Sequence, residues 1–327
     1  MTNPDPIEGL RPGMRAVVRR RIQDGVTDAL GEIEAVDAAT VSVRTRRGLE
    51  TIDRALVVAA KEVPPRPARR GAPHLAISTH DLEAIMVEGL APLERGELGG
   101  WLLRAADGFT GRANSVLPLG DPGVSLSEAV DYCQSWYDQR GLPPLFSLFG
   151  PAGFAAGDDP LGADLLARGY RQFKSTAVLT AATGELPPEL PHLGGAQVLL
   201  ESTPSPVWWD AWAAAQGHPD AVRATAMAVM TGSPDQLFAR LEVGGAVIGL
   251  GRIVFAQGWA GVFALHVGPQ HRRSGAALQL MGALGEASRS RGIRSLYLQV
   301  LKANAPALSL YERLGFATHH EYSYLAR

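Results

Sequence analysis

The stretch Arg272-Arg273-Ser274-Gly275-Ala276-Ala277 decides how the rest of this chain is read. It follows an apolar, strand-like run from Trp259 to Val267 and opens an amphipathic segment that continues to Arg291. A glycine at a strand-to-helix turn lets backbone N–H groups close on a phosphate, and the helix N-terminus adds partial positive charge. Arg272 and Arg273 bring donors for charge-assisted hydrogen bonds to an anion. Further on comes a second cluster: Asn304, then Leu310-Tyr311, then Leu314-Gly315-Phe316.

The 327 residues suffice for two or three domains. At 46% apolar and 20% charged residues the composition is that of an ordinary globular protein. A net charge of −2 gives no whole-chain field to attract nucleic acid or a membrane surface. Lysine occurs only at Lys61, Lys174 and Lys302, which with abundant Ala and Gly reads as compositional bias and not as function. The lone Cys133 has no internal disulfide partner, and its helical, apolar surroundings make it a core residue. There is no charged-then-apolar leader, and no apolar run approaches the roughly 20 residues of a membrane span. A cytoplasmic protein is expected, with no membrane partner and no metal site.

Two proline-rich breaks, Val63 to Gly71 and Gly184 to Pro191, divide the chain into three expected domains at 1–66, 67–194 and 195–327. The first contains short strands such as Met14 to Val18, Gly31 to Val36 and Thr40 to Thr45, separated by turn signals including Asp24-Gly25 and Arg47-Gly48. By pattern alone it resembles an SH3-like β-barrel. Arg19, Arg20, Arg21, Arg44, Arg46 and Arg47 give it a basic face, diluted by Glu32, Glu34, Asp37 and Glu50. A solvated surface is one reading of that face and a nucleic-acid contact the other.

The middle and final segments share a layout. In the middle, a helix over Ser127 to Gln139 ends at Gly141, a strand covers Leu145 to Phe149, a helix covers Leu161 to Arg168, and Gly169-Tyr170 leads to the strand Ser175 to Leu179. In the final segment the same series is the helix Ala276 to Arg291, Gly292, the strand Leu296 to Leu301, the helix Pro306 to Arg313, and Gly315-Phe316 before a last strand. The copies differ at the first helix start. Gly120-Asp121-Pro122-Gly123-Val124-Ser125 suits a phosphate poorly, because Asp121 repels an anion and Pro122 has no N–H. Thr110-Gly111-Arg112-Ala113-Asn114-Ser115 is polar within apolar surroundings and reads as a turn or as a substrate-facing loop.

Strand, phosphate turn, helix, strand, Asn, helix with Tyr, then Gly-Phe: this order resembles the GCN5-related N-acetyltransferase (GNAT) superfamily. Its phosphate signature, Arg/Gln-x-x-Gly-x-Gly/Ala, reads here as Arg272-x-x-Gly275-x-Ala277. The resemblance covers residues 196–327 closely and 71–183 weakly. It implies an α/β fold of tandem mixed sheets flanked by helices, the first copy degenerate, behind the small all-β segment. It implies acetyl-CoA, or another acyl-CoA, as cofactor and a small-molecule or peptide amine as acceptor; a homodimer is compatible with it. By match, Arg272, Arg273, Ser274, Gly275, Ala276 and Ala277 hold the pyrophosphate, with Ser274 either a hydroxyl donor or a helix cap. Leu265, His266 and Val267 pair their backbone with the pantetheine arm as an added strand would. That role, more than catalysis, suits His266. Asn304 caps its helix and contacts the same arm, while Tyr311 binds there and donates a proton to the departing sulfur.

The general base is not legible. Some family members carry a glutamate where Gly261 stands, and the strand Trp259 to Val267 has no carboxylate at all. A water relay, or Glu201, Glu242, Tyr322 or Tyr324, are the alternatives. Trp208, Trp209 and Trp212 border the acceptor side as core residues or as a cation cage. Two other function classes stand beside the enzyme: a non-catalytic acyl-CoA-responsive adaptor, and an RNA-binding protein acting through the first segment alone.

Overall fold

The computed structural model describes residues 6–7, 9–22, 25–45, 48–63, 73–186, 193–217 and 222–327. The expected linker 64–71, the segment 187–191, and Asp24, Arg46 and Arg47 therefore lie outside the described residues. The chain forms two compact units, Met1–Arg70 and Gly71–Arg327.

The N-terminal unit is one antiparallel sheet of β1 (Arg15–Ile22), β2 (Gly25–Val36), β3 (Thr40–Thr45), β4 (Gly48–Asp53) and β5 (Val57–Glu62), in the order β4-β3-β2-β1-β5. Alternate residues turn inward, and Ala16, Val18, Val41, Val43 and Ile52 form its core. The small all-β segment is present; its SH3-like character rests on strand pattern alone. Three arginines of its basic face are ion-paired: Arg19 with Asp28 at 2.8 Å, Arg20 with Glu50 at 2.8 Å, and Arg44 with Glu34.

The C-terminal unit begins with α1 (Thr79–Met86), β6 (Glu94–Leu98), β7 (Trp101–Ala105), β8 (Val116–Pro118), α2 (Leu126–Asp138), β9 (Phe146–Gly150), α3 (Pro160–Ala167) and β10 (Arg171–Ala182). A second half follows: β11 (Ala196–Glu201), α4 (Pro206–Gln216), α5 (Arg223–Thr231), β12 (Gln236–Val243), β13 (Ala246–Ala256), β14 (Trp259–Val267), α6 (Ala276–Ser290), β15 (Ser295–Leu301), α7 (Ala305–Arg313) and β16 (Ala317–Ala326). The two matched series read from sequence are both there, with the turn glycines Gly141, Gly169, Gly292 and Gly315 all at positive φ.

The two halves share one eleven-stranded sheet, ordered β11-β12-β13-β14-β15-β10-β16-β9-β8-β7-β6. Among the described residues its only parallel contacts are β14 with β15 and β8 with β9, one in each half. The last strands are exchanged: β10 pairs with β15, and β16 pairs with β9. Each half thus completes the other's sheet, which no local pattern announces.

Alternation along the central strands separates two cores. On one face, Ala260, Val262, Leu296 and Leu298 pack under α6 and α7 with Leu280, Leu284 and Tyr311. On the other, Phe263, Tyr297 and Tyr322 pack with α1, α4 and α5, and Trp208, Trp209 and Trp212 are at most 6% exposed. The tryptophans are core. So is Cys133, fully buried, with its thiol pushed up to about 12 by burial. No helix among the described residues is long and apolar enough to cross a membrane.

Candidate functional site

β14 and β15 run together only as far as Val262 opposite Leu298. Beyond that pair they part. The cause lies in β14: Ala264 takes a left-handed φ of 52°, and the β13–β14 register slips between Leu250 and Arg252. Such a bulge bends the strand that carries it. Leu265, His266 and Val267 therefore leave the β15 edge and wall a groove of about 820 Å³.

The opposite walls come from the turn before α6 and from α7. Arg272, Arg273, Gly275, Ala276, Ala277, Asn304 and Tyr311 all face the same groove. The structure thus brings together every site residue read from sequence except Ser274. Its hydroxyl donates to the His271 carbonyl at 2.6 Å, so it ties the turn and neither caps α6 nor lines the groove. Gly275 occupies the cap position at φ 94°, and Arg273 holds a left-handed φ of 62° two residues before it. Non-glycine residues in that region are uncommon and concentrate at ligand clamps.

The start of α6 is chemically open. Gly275 offers no side-chain cap, no acid sits in the first turn, and among the described residues nothing accepts from the amides of Ala276, Ala277 and Leu278. Orphan amides at a helix start, backed by the helix dipole and two arginines, make a site for an anion. The matching start of α2 is closed. Ser125 accepts from the Glu128 amide at 3.3 Å, Glu128 returns a bond to the Ser125 amide at 3.1 Å, and Asp121 accepts from Gly123 at 2.8 Å. A capping box and two acids leave that helix nothing to offer a phosphate.

At the far wall, Asn304 caps α7 by accepting from the Ala307 amide at 3.3 Å, which leaves its side-chain N–H₂ as donors into the groove. The Tyr311 ring packs on Phe316, and among the described residues its hydroxyl has no hydrogen-bond partner. Burial pushes the phenol up to about 12, so it keeps its proton at neutral pH. His266 moves the other way: burial and the charge of Arg272 lower its pKa, favouring the neutral ring.

Sequence reading missed Pro306, Ala307 and Leu310, which also line the groove. Pro306 stands four residues before Leu310 and Ala307 four before Tyr311, which puts all four on the same stripe of α7, a signal available once that helix is placed.

Gly261 sits opposite Tyr297 across the parallel pair, and a Cβ there would run into the Tyr297 ring. The space that a glutamate would need is filled by tyrosine. Gly261→Ala should cost about 1–3 kcal/mol by overpacking, read as a lower denaturant midpoint at unchanged m-value. Of the other sequence candidates for a base, Glu201 and Glu242 are both ion-paired to Arg240, at 2.7 and 2.6 Å, on the outer strands. Tyr322 is buried and donates to Gln299 at 2.9 Å. Tyr324 is likewise buried, which holds its phenol well above the ordinary range.

The fold is that of the GCN5-related N-acetyltransferases in tandem form. A GCN5-related N-acetyltransferase from Kribbella flavida superposes with a TM-score of 0.56 over 76% of this chain and 94% of its own, at 14% identity. A tandem GNAT protein from the clavulanic acid biosynthesis pathway gives 0.54 over 77% and 88%, at 13% identity. Residues 78–325 match the family described as probable histone acetyltransferase Rv0428c C-terminal, and the chain belongs to that family. The probable histone acetyltransferase Rv0428c of Mycobacterium tuberculosis is 29% identical over 325 residues, 96% of this chain and 94% of that protein. The uncharacterized N-acetyltransferase YobR of Bacillus subtilis is 28% identical over 232 residues, 69% of this chain and 90% of its own.

Proposed function

We propose that the chain transfers an acetyl group from acetyl-CoA to a primary amine by direct attack, using a cofactor site in the second half only. One observation carries the reading: the start of α6 is open and flanked by arginines where strands part, while the start of α2 is capped and acidic. In this reading residues 1–66 are an accessory β domain, 67–194 a degenerate half and 195–327 the cofactor-binding half. The amides after Gly275, with Arg272 and Arg273, hold the diphosphate. Leu265 to Val267 and Asn304 hold the pantetheine arm, and Tyr311 donates to sulfur as the thiolate leaves.

The acceptor class is a small-molecule or peptide amine. The name of the M. tuberculosis relative puts a lysine-bearing peptide first among acceptors to try. Release of free thiol from acetyl-CoA with a panel of amines tests the activity. Arg272→Ala should weaken coenzyme A about tenfold, on the scale of one exposed charge-assisted contact, and leave pantetheine unaffected, since only the former carries the diphosphate. Equal losses for both ligands in calorimetry would remove that contact.

The absence of a carboxylate on β14 favours a second reading, an acyl-CoA-responsive adaptor. Tight coenzyme A binding without thiol release for any amine would select it.

A further inference from the structure

We propose that Glu83, on α1 of the first half, takes the proton from the attacking amine in the second half's site, by way of one water in a cavity between them. This rests on the acetyl-transfer reading above and names the base that β14 lacks.

The cavity lies on the sheet face opposite α6. Glu83 lines it with Arg104, Arg112, Gln299 and Tyr322. Gln299 is the first β15 residue beyond the last β14–β15 pair, so the cavity lies at the level where the two strands part. Arg112 bonds Gln299 at 3.1 Å and stands over the Phe263 ring. The polar loop around Arg112 is thus both a turn and a contact with the second half's strand opening. The cavity measures about 10 Å³, about the space of one water, and a carboxylate, a guanidinium, an amide and a phenol supply the two to four polar partners that a buried water needs.

Glu83 is held ready by a chain of rings. Its Oε1 lies 2.9 Å from His320 Nε2, His320 Nδ1 lies 2.8 Å from His319 Nδ1, and His319 Nε2 lies 3.0 Å from the Ile77 carbonyl. A carbonyl only accepts, so His319 Nε2 carries hydrogen. A neutral His319 then accepts at Nδ1, and His320 Nδ1 donates to it. One proton remains between His320 and Glu83 Oε1. The other carboxylate oxygen has no hydrogen-bond partner among the described residues. His319 ends the chain at a second surface groove, beside Ser78 and His80, which gives a proton a way out.

The step balances. The C–N bond forms as the C–S bond breaks and its electron pair leaves on sulfur. Tyr311 supplies the proton for sulfur. The amine proton passes to the water, which gives one to Glu83 Oε2. Exchange with solvent restores both residues, leaving an amide and a free thiol.

The charged and titratable groups around Glu83 are Arg104 and Arg112, Tyr297 on β15, and His319, His320 and Tyr322 on β16. Glu83, His320 and His319 are joined by hydrogen bonds and act on the rate as one unit, so the acid limb that the substitutions read is assigned to the set. With acetyl-CoA and the fastest amine among a lysine peptide, spermidine and neamine, Glu83→Gln should lower kcat by about 100-fold or more. It should also remove the acid limb of kcat/KM and leave the coenzyme A Kd unchanged, with Glu83→Asp restoring part of the rate. If Glu83→Gln also loses coenzyme A, His319→Gln, at the half-buried end, carries the test: a shifted acid limb at unchanged Kd supports the proposal, and an unmoved profile overturns it. An active wild type with Glu83→Gln equally active overturns the role of Glu83 alone. A wild type that binds no coenzyme A, or releases thiol with none of the amines, overturns the underlying reading and this proposal with it.

Discussion

Gly275→Glu should abolish useful cofactor binding, raising the Kd for coenzyme A by about 100-fold or more, about 2.7 kcal/mol. Two effects add. The position holds φ 94°, where a side chain costs about 1–2 kcal/mol. The new carboxylate also stands where the amides of α6 and the side chains of Arg272 and Arg273 converge, so it competes with the diphosphate for the same donors. The helix itself should tolerate the change, because an acid at a helix N-terminus is favourable. Gly275→Ala separates the two effects: it retains the backbone strain without the charge and should lose far less. Calorimetry on both variants measures this, and near-normal affinity for Gly275→Glu would remove the anion site from α6.

Tyr311→Phe should leave coenzyme A affinity within about twofold and lower kcat by about 100-fold, within the usual range for one positioned acid. The ring's packing against Phe316 survives the substitution, and no protein hydrogen bond is lost among the described residues. The change therefore removes one donor and little else. The sign of the pH dependence is fixed by burial. A phenol held at about 12 stays protonated below that pH, so the wild type should show no fall in thiol release between about pH 8 and 10 arising from Tyr311. Steady-state thiol release across that range checks both points. An unchanged kcat in the mutant would assign sulfur protonation to another group.

The elements from β14 onward were legible because their signals are local. The apolar run Trp259 to Val267 is β14 to the residue, and Gly292 and Gly315 mark helix ends that the structure places within a residue or two. The groove was legible for the same reason, since its walls follow one another along a single strand–helix–strand–helix passage. The bond of Ser274 to the His271 carbonyl was not legible, because it depends on the shape of the turn, which the left-handed Arg273 sets. The exchange of β10 and β16 was not legible at all: both strands look like the ends of their own halves, and only packing between the halves decides which neighbour each takes. For the same reason Glu83, over 180 residues before Gln299, gave no sequence signal toward the cavity that it lines, while the loop around Arg112 was legible only as a turn or a substrate-facing loop.

The most direct test of the account is a crystal structure of the complex with coenzyme A. The diphosphate should lie within about 2.7–3.2 Å of the amides following Gly275, with the pantetheine arm between β14 and α7 and its sulfur beside the Tyr311 hydroxyl. A diphosphate seated at the start of α2, or anywhere away from α6, would contradict it.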